Sequence, residues 1–320
     1  MAVIQYQEAL KNAFKDYSYG THPVELYEPI SYLMSLGGKR LRPALTLMGY
    51  HLFKDDWESA LKPAMAVEVF HNFSLMHDDI MDEAPLRRGQ PTVHEKWNRD
   101  VAILSGDVML VAAYELLSEA PAHQLKTILK RFNRTAAEVC EGQQMDMNFA
   151  SRSTVTEHEY IEMIKLKTSV LLGFALELGG LVADQPPAVI EKLYSIGVHM
   201  GIGFQLKDDL LDVYGDPEKF GKQVGGDIIE NKKTWLMLKA IEQCKSADLN
   251  QWLTKSDFDK TEKVKAVTAI FDSLNIKKQA EEKIDQYFSS AMKSIDELPI
   301  SDTRKEIILN FGKNLQQREY

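Results

Sequence analysis

Hydrophobic positions recur at steps of three and four along almost the whole chain. Residues 61–82 place Ala64, Val67, Val69, Phe70, Phe73, Leu75, Met76 and Ile80 on one broad apolar face. That is the pattern of a helix facing a core. Residues 161–183 and 189–213 are similarly apolar. Near the C-terminus, Ala280, Ile284, Phe288, Met292 and Ile295 repeat at helical steps and predict an amphipathic helix. No stretch shows the strict alternation of a half-buried strand.

Breakers divide these segments. Gly37-Gly38 ends one helix, and Pro43 suits the first turn of the next. Pro85, Gly89 and Pro91 enclose a loop, and Asp184–Pro187 is a short connection. Residues 215–227, rich in Gly and Asp, predict a longer loop. There is no long linker, low-complexity tract or internal repeat. The expected fold class is all-α, one domain over residues 1–320 built as a bundle around buried helices.

Composition narrows the function. The chain has 320 residues, 44% of them hydrophobic, which is a globular composition. A formal net charge of −9 argues against a nucleic-acid partner, because phosphate backbones reward basic surfaces. The two cysteines, Cys140 and Cys244, form no CxxC pattern and suit a reducing cytoplasm. The first residues show no signal-peptide pattern. Asp107 and Glu177 interrupt the longest apolar stretches, so no transmembrane segment is expected.

Against this background two acidic clusters stand out. Asp78-Asp79-Ile80-Met81-Asp82 ends an apolar helical segment, and Asp208-Asp209-Leu210-Leu211-Asp212 ends another. Positions i and i+4 lie about 6 Å apart along a helix and about 40° apart around it, so Asp78 and Asp82 project from one face. Three acids closing an apolar helix repel one another unless cations join them. Carboxylate oxygens without Cys or several His favour a hard cation, and Mg²⁺ takes one or two carboxylates together with waters and phosphate oxygens. Two DDxxD clusters thus suggest a clamp of several Mg²⁺ ions on a diphosphate.

Basic residues accompany both clusters. Lys39, Arg40 and Arg42 lie in Gly37-Gly38-Lys39-Arg40-Leu41-Arg42-Pro43, Arg87-Arg88 follows the first cluster, and Lys222 and Lys232 follow the second. Any one of them reads as an ordinary surface cation, but acidic clamps beside basic loops point to a polyphosphate.

With these motifs in view, the chain resembles the trans-isoprenyl diphosphate synthases, or polyprenyl synthetases, from about Gly37 to Thr234. Glu68-Val69-Phe70-His71-Asn72-Phe73-Ser74-Leu75-Met76-His77-Asp78-Asp79 looks like the family's first aspartate-rich helix, and Phe204-Gln205-Leu206-Lys207-Asp208-Asp209 looks like its second. The resemblance implies an isoprenoid-synthase bundle around a central substrate cavity, a homodimer, and prenyl diphosphate substrates. It implies that Lys39, Arg42, His71 and Arg88 bind isopentenyl diphosphate. Arg87, Lys167, Thr168, Gln205, Lys222 and Lys232 would hold the allylic diphosphate. Asp78 and Asp82 would carry two Mg²⁺ ions and Asp208 a third, with Asp79 and Asp212 as further candidate ligands. Asp78, Asp82, Asp208, Arg87, Lys167 and Lys222 would thus form the catalytic set. Gln143 and Asp146 would support it from behind.

The implied reaction is electrophilic alkylation. The allylic C–O bond breaks, the double bond of isopentenyl diphosphate attacks the resulting carbocation, and a proton leaves to the departing pyrophosphate. No side-chain nucleophile is required, which suits the absence of a persuasive Ser/His/Asp or Cys/His set. In family terms the fifth residue before the first Asp, here Phe73, gates product length, and the fourth is the small Ser74. The expected product is C15 to C20, with C20 favoured. His77 and His94 read as packing or hydrogen-bonding residues.

Other readings are a class I terpene cyclase, a longer-chain synthase, a noncatalytic synthase subunit and a di-iron bundle. Lys39, Arg42, His71 and the second DDxxD argue for the synthase over the cyclase. Both acidic motifs are whole, unlike those expected of a noncatalytic subunit. Glu68-x-x-His71 matches half of the di-iron ligand pattern, and the other half is missing.

Overall fold

The structure, a computed structural model, describes residues 2–216, 225–244 and 247–318. In chain order the helices are α1 (Ala2–Asp16), α2 (Val24–Ser35), α3 (Leu41–His51), α4 (Leu61–Met81), α5 (Val93–Lys96), α6 (Arg99–Ser118), α7 (Ala122–Ser151), α8 (Glu157–Ile164), α9 (Val170–Val182) and α10 (Pro187–Tyr214). They continue as α11 (Gly226–Ile229), α12 (Trp235–Gln243), α13 (Asp248–Thr254), α14 (Lys260–Ser273), α15 (Ile276–Asp296) and α16 (Asp302–Gln316). The only strands among the described residues are β1 (Leu86–Arg87) and β2 (Gln90–Pro91). The all-α expectation therefore holds.

Local chemistry explains the helix ends. Asn98 caps α6 by accepting the Val101 N–H at 2.9 Å, and Thr156 and Glu159 form a reciprocal capping box at the start of α8. Pro187 opens α10, where its missing N–H costs nothing. Gly37 and Gly38 leave α2 with φ of 80° and 134°, values open to glycine and strained for other residues.

Three local readings change. The segment Pro85–Pro91 is a two-residue antiparallel ribbon pairing Leu86 with Pro91 and Arg87 with Gln90. Its turn residues Arg88 and Gly89 both have positive φ, 53° and 74°, the hairpin geometry whose twist matches that of the paired strands. The apolar run over 161–183 is interrupted by a π-helical turn at Lys165–Ser169. Residues 226 and 227, read as loop, begin the helical turn α11.

The chain forms two compact units, Met1–Arg134 with Phe174–Tyr194 and Ile300–Ile307, and Thr135–Gly173 with Ser195–Pro299 and Ile308–Tyr320. In the first, α4 packs on α6, whose inward residues Ala102, Ser105, Gly106 and Ala113 are small and buried. Phe70, Phe132 and Phe174 fill its core, with Phe132 centred 5.1 Å from Phe70 and 5.7 Å from Phe174. In the second, Phe288 of α15 is fully buried and packs against Gly203 of α10, leaving no room for a Cβ there.

Among the described residues, α6 alone is long and apolar enough to cross a membrane, and 44% of its most apolar window is buried in the fold. Its hydropathy has a structural cause: the helix is apolar on its inner face and again on its outer one, where Leu104 is 57% and Val111 66% exposed.

Candidate active site

In the first unit the acidic motif closes α4. Asp82 is the residue that caps the helix, its N–H bonded to the Asp78 carbonyl at 2.9 Å. Asp79 turns the other way. It is 3% exposed, and its two oxygens accept from Arg87 Nε and Nη2 at 2.7 and 2.6 Å. This fork-to-fork geometry is the strong form of a charge-assisted hydrogen bond. The hairpin β1–β2 delivers Arg87 to that partner. Arg88, at the left-handed turn position, donates to the Gly37 carbonyl, and a Cβ on Gly38 would lie 2.9 Å from Arg88 Nη2.

The basic turn before α3 separates into different roles. Arg40 adopts a left-handed conformation and is drawn inward, where it donates to Glu68 Oε1 at 2.5 Å and to the Met34 carbonyl at 2.7 Å. Asn72 Nδ2 also donates to Glu68 Oε1, at 3.1 Å, so Glu68 is committed to hydrogen bonds within the fold. Lys39 remains exposed. Arg42 Nη1 lies 3.1 Å from His71 Nε2. Burial first, and then the charges of Arg42, Arg88, Arg87 and Arg40, hold His71 well below its usual pKa of 6.5. A neutral ring therefore accepts from Arg42 through Nε2 and keeps its proton on Nδ1. Two of these guanidiniums, Arg40 and Arg87, are already paired with Glu68 and Asp79, whereas Arg42 lies against His71 itself and Arg88 on the Gly37 carbonyl.

Phe73 and Ser74 lie on α4 before the acids. Ser74 Oγ is bonded back to the His71 carbonyl at 2.8 Å. The Phe73 ring lies 5.6 Å from Phe70 and 4.8 Å from His77, centroid to centroid.

In the second unit, Lys167 and Thr168 sit on the π-helical turn, half-buried. Such turns re-aim side chains from an otherwise regular helix. The α7 backbone comes so close at Gly142 that a Cβ there would overlap the Lys167 amide nitrogen and lie 2.6 Å from its Cα. Lys167 Nζ donates to Asp146 at 2.7 Å, which joins the Gly142–Asp146 segment to the same spot. Gln143 is buried, with its Nε2 lacking a hydrogen-bond partner. Gln205 is half-buried on α10.

The second acidic motif also divides its carboxylates. Asp208 Oδ1 accepts from Arg318 Nη1 at 2.8 Å, and the Arg318 guanidinium lies 5.0 Å from the centre of the Phe204 ring. Asp209 is buried and accepts the Tyr160 hydroxyl at 2.5 Å. Burial, followed by the neighbouring charge of Asp227, raises its pKa well above the usual 3.8. Asp212 holds backbone: its Oδ2 accepts the Asp227 N–H at 3.0 Å. Lys232 lies 3.7 Å from Asp227. Burial opposes its charge, but Asp227, Asp146, Asp209 and Glu230 outweigh burial and raise its pKa. Lys222 lies outside the described residues.

Sequence reading singled out neither Tyr160, Asp227 nor Arg318. Their spacing from the motifs they join carries no helical or turn signal; Arg318 is 110 residues from Asp208. Among the described residues no three of His, Cys, Asp and Glu form a metal cage. The donor set nevertheless suits Mg²⁺, which is held by one or two carboxylates with substrate phosphate and water completing the shell. The Asp78–Asp82 pair, with Asp79 turned onto Arg87, provides that kind of partial set.

The family model described as polyprenyl synthetase matches residues 23–272. A geranylgeranyl pyrophosphate synthase from Geoglobus acetivorans is 37% identical over 288 residues, 89% of each chain. A geranylfarnesyl diphosphate synthase from Natronomonas pharaonis is 33% identical and covers 100% of this chain and 97% of its own. A crystal structure of a geranylgeranyl pyrophosphate synthase superposes with a TM-score of 0.95 at 43% identity, covering 99% of both chains.

Proposed function

The chain belongs to the polyprenyl synthetase family and acts as a short-chain trans-prenyltransferase, and we propose that it extends dimethylallyl, geranyl and farnesyl diphosphates with isopentenyl diphosphate to the C20 product. The division of labour within the first acidic motif supports this reading best. Asp78 and Asp82 share the end of α4, while Asp79 locks Arg87 in place.

In this proposal Asp78, Asp82 and Asp208 hold up to three Mg²⁺ ions, which neutralise charge on the leaving pyrophosphate. Arg87, Lys167, Thr168, Gln205, Lys222 and Lys232 bind the allylic diphosphate. Lys39, Arg42, His71 and Arg88 bind isopentenyl diphosphate. The neutral His71 supports this assignment, because it can donate its Nδ1 proton to an oxyanion while Arg42 stays charged. Phe73 closes the path of the growing chain. The whole of residues 1–320 works as one synthase domain, in the cytoplasm, as a homodimer.

The test is incubation with isopentenyl and dimethylallyl diphosphates, with and without Mg²⁺, followed by chromatography of the dephosphorylated products. The expected outcome is Mg²⁺-dependent formation of a C20 alcohol. A main product of C25, the length in the name of the Natronomonas relative, or anything longer contradicts the length assignment. Equal condensation in EDTA contradicts the metal assignment.

A further inference from the structure

Product length is a partition between release and another round of elongation. It therefore reads the space available to the chain and not the overall rate. The inference below rests on Phe73 being the floor of that space.

Helix α4 packs on α6 where α6 presents small residues, Gly106 among them. A Cβ at Gly106 would overlap Nε2 of His77 and lie 2.6 Å from its Cδ2. The imidazole thus occupies the notch left by the missing side chain. It is also tethered there: Nε2 lies 3.2 Å from the Ile103 carbonyl, which can only accept, so this nitrogen carries the proton. His77 is four residues after Phe73, on the same helical face. Their rings meet edge to face, 4.8 Å between centroids with an interplanar angle of 64°. On its other side Phe73 meets Phe70 at 5.6 Å, and Phe70 is backed by Phe132 at 5.1 Å. The Phe73 ring is held between two neighbours of its own helix, one of them anchored to α6.

We propose that His77, seated in the notch at Gly106, is a positioning residue for product length, fixing the Phe73 ring across the path of the growing chain. Removing the imidazole frees Phe73 to turn aside, and the chain then grows further.

The test is the product distribution of His77→Ala and His77→Gln at equal substrate conversion, beside Phe73→Ala and the double variant Phe73→Ala/His77→Ala. The Gln variant can keep a donor for Ile103 but loses the ring, so it covers the case in which the Ala variant fails to fold. Both His77 variants are expected to shift the main product by one C5 unit with the KM for isopentenyl diphosphate close to the parent enzyme, and His77→Ala to melt at a lower temperature because it empties the notch at Gly106. Phe73→Ala is expected to lengthen it by at least as much, and the double variant to match Phe73→Ala. A longer product from Phe73→Ala with unchanged His77 variants overturns the positioning role and leaves the floor standing. A double variant that lengthens beyond Phe73→Ala shows that His77 acts by another route and also overturns it. An unchanged product from active Phe73→Ala removes the floor, and the proposal with it.

Discussion

At the scale of single residues, the DDxxD pattern reads as three equivalent acids, yet each motif holds carboxylates with different tasks. Asp79 is buried and paired with Arg87, whose side chain is 22% exposed. Removing one partner of such a pair leaves an uncompensated charge, which for buried pairs costs about 3–5 kcal/mol. The partial exposure of Arg87 puts Asp79→Ala toward the lower end, about 3 kcal/mol. Urea denaturation of Asp78→Ala and Asp79→Ala checks this division. Asp79→Ala should lower stability by about that amount and raise the KM for the allylic substrate through a misplaced Arg87. Asp78→Ala should melt like the parent protein while losing 10²–10³-fold in turnover, on the order of a lost electrostatic contact to a leaving group. Equal loss of stability in both variants would show that the two acids are not specialised as described.

At the scale of elements, what the sequence made legible and what it left hidden follow from the range of the forces involved. Helix α4 was legible because its apolar face and its terminal acids are local patterns; residues 61–82 were expected and Leu61–Met81 is found. The hairpin was hidden because two residues per strand carry no alternation, and the Arg88-Gly89 turn shows itself only through its positive φ values. The π-helical turn was hidden too: the apolar period runs through it, and the close approach of Gly142 is a tertiary contact. Arg40 read as one of three equivalent cations, and only the packing of α2 and α4 draws it to Glu68 and Met34. Helix α6 adds a prediction of its own. Its outer face exposes Ile103, Leu104, Val111 and Tyr114 around an exposed Asp107, a mostly apolar surface of the sort that marks an interface. In the proposed homodimer a second copy covers this surface. Leu104→Glu/Val111→Glu should therefore shift the protein from dimer to monomer in sedimentation analysis, and an unchanged dimer would place the interface elsewhere.

At the scale of the whole molecule, each unit carries an acidic motif with a cation of the same unit beside it. Arg318 shows how the charge of the second motif is balanced by the chain itself: its guanidinium sits on Asp208, a proposed metal ligand. The first motif has an analogous internal cation in Arg87, on Asp79, and Asp78 and Asp82 are the acids proposed for metal. The most direct test of this account is calorimetric titration of Mg²⁺ into the protein saturated with a non-ionising allylic thiolodiphosphate, for the parent chain, Asp78→Ala and Asp79→Ala. The account predicts Mg²⁺ binding by the parent, loss of sites in folded Asp78→Ala, and retained stoichiometry in Asp79→Ala. Parent-like Mg²⁺ binding by folded Asp78→Ala would contradict it.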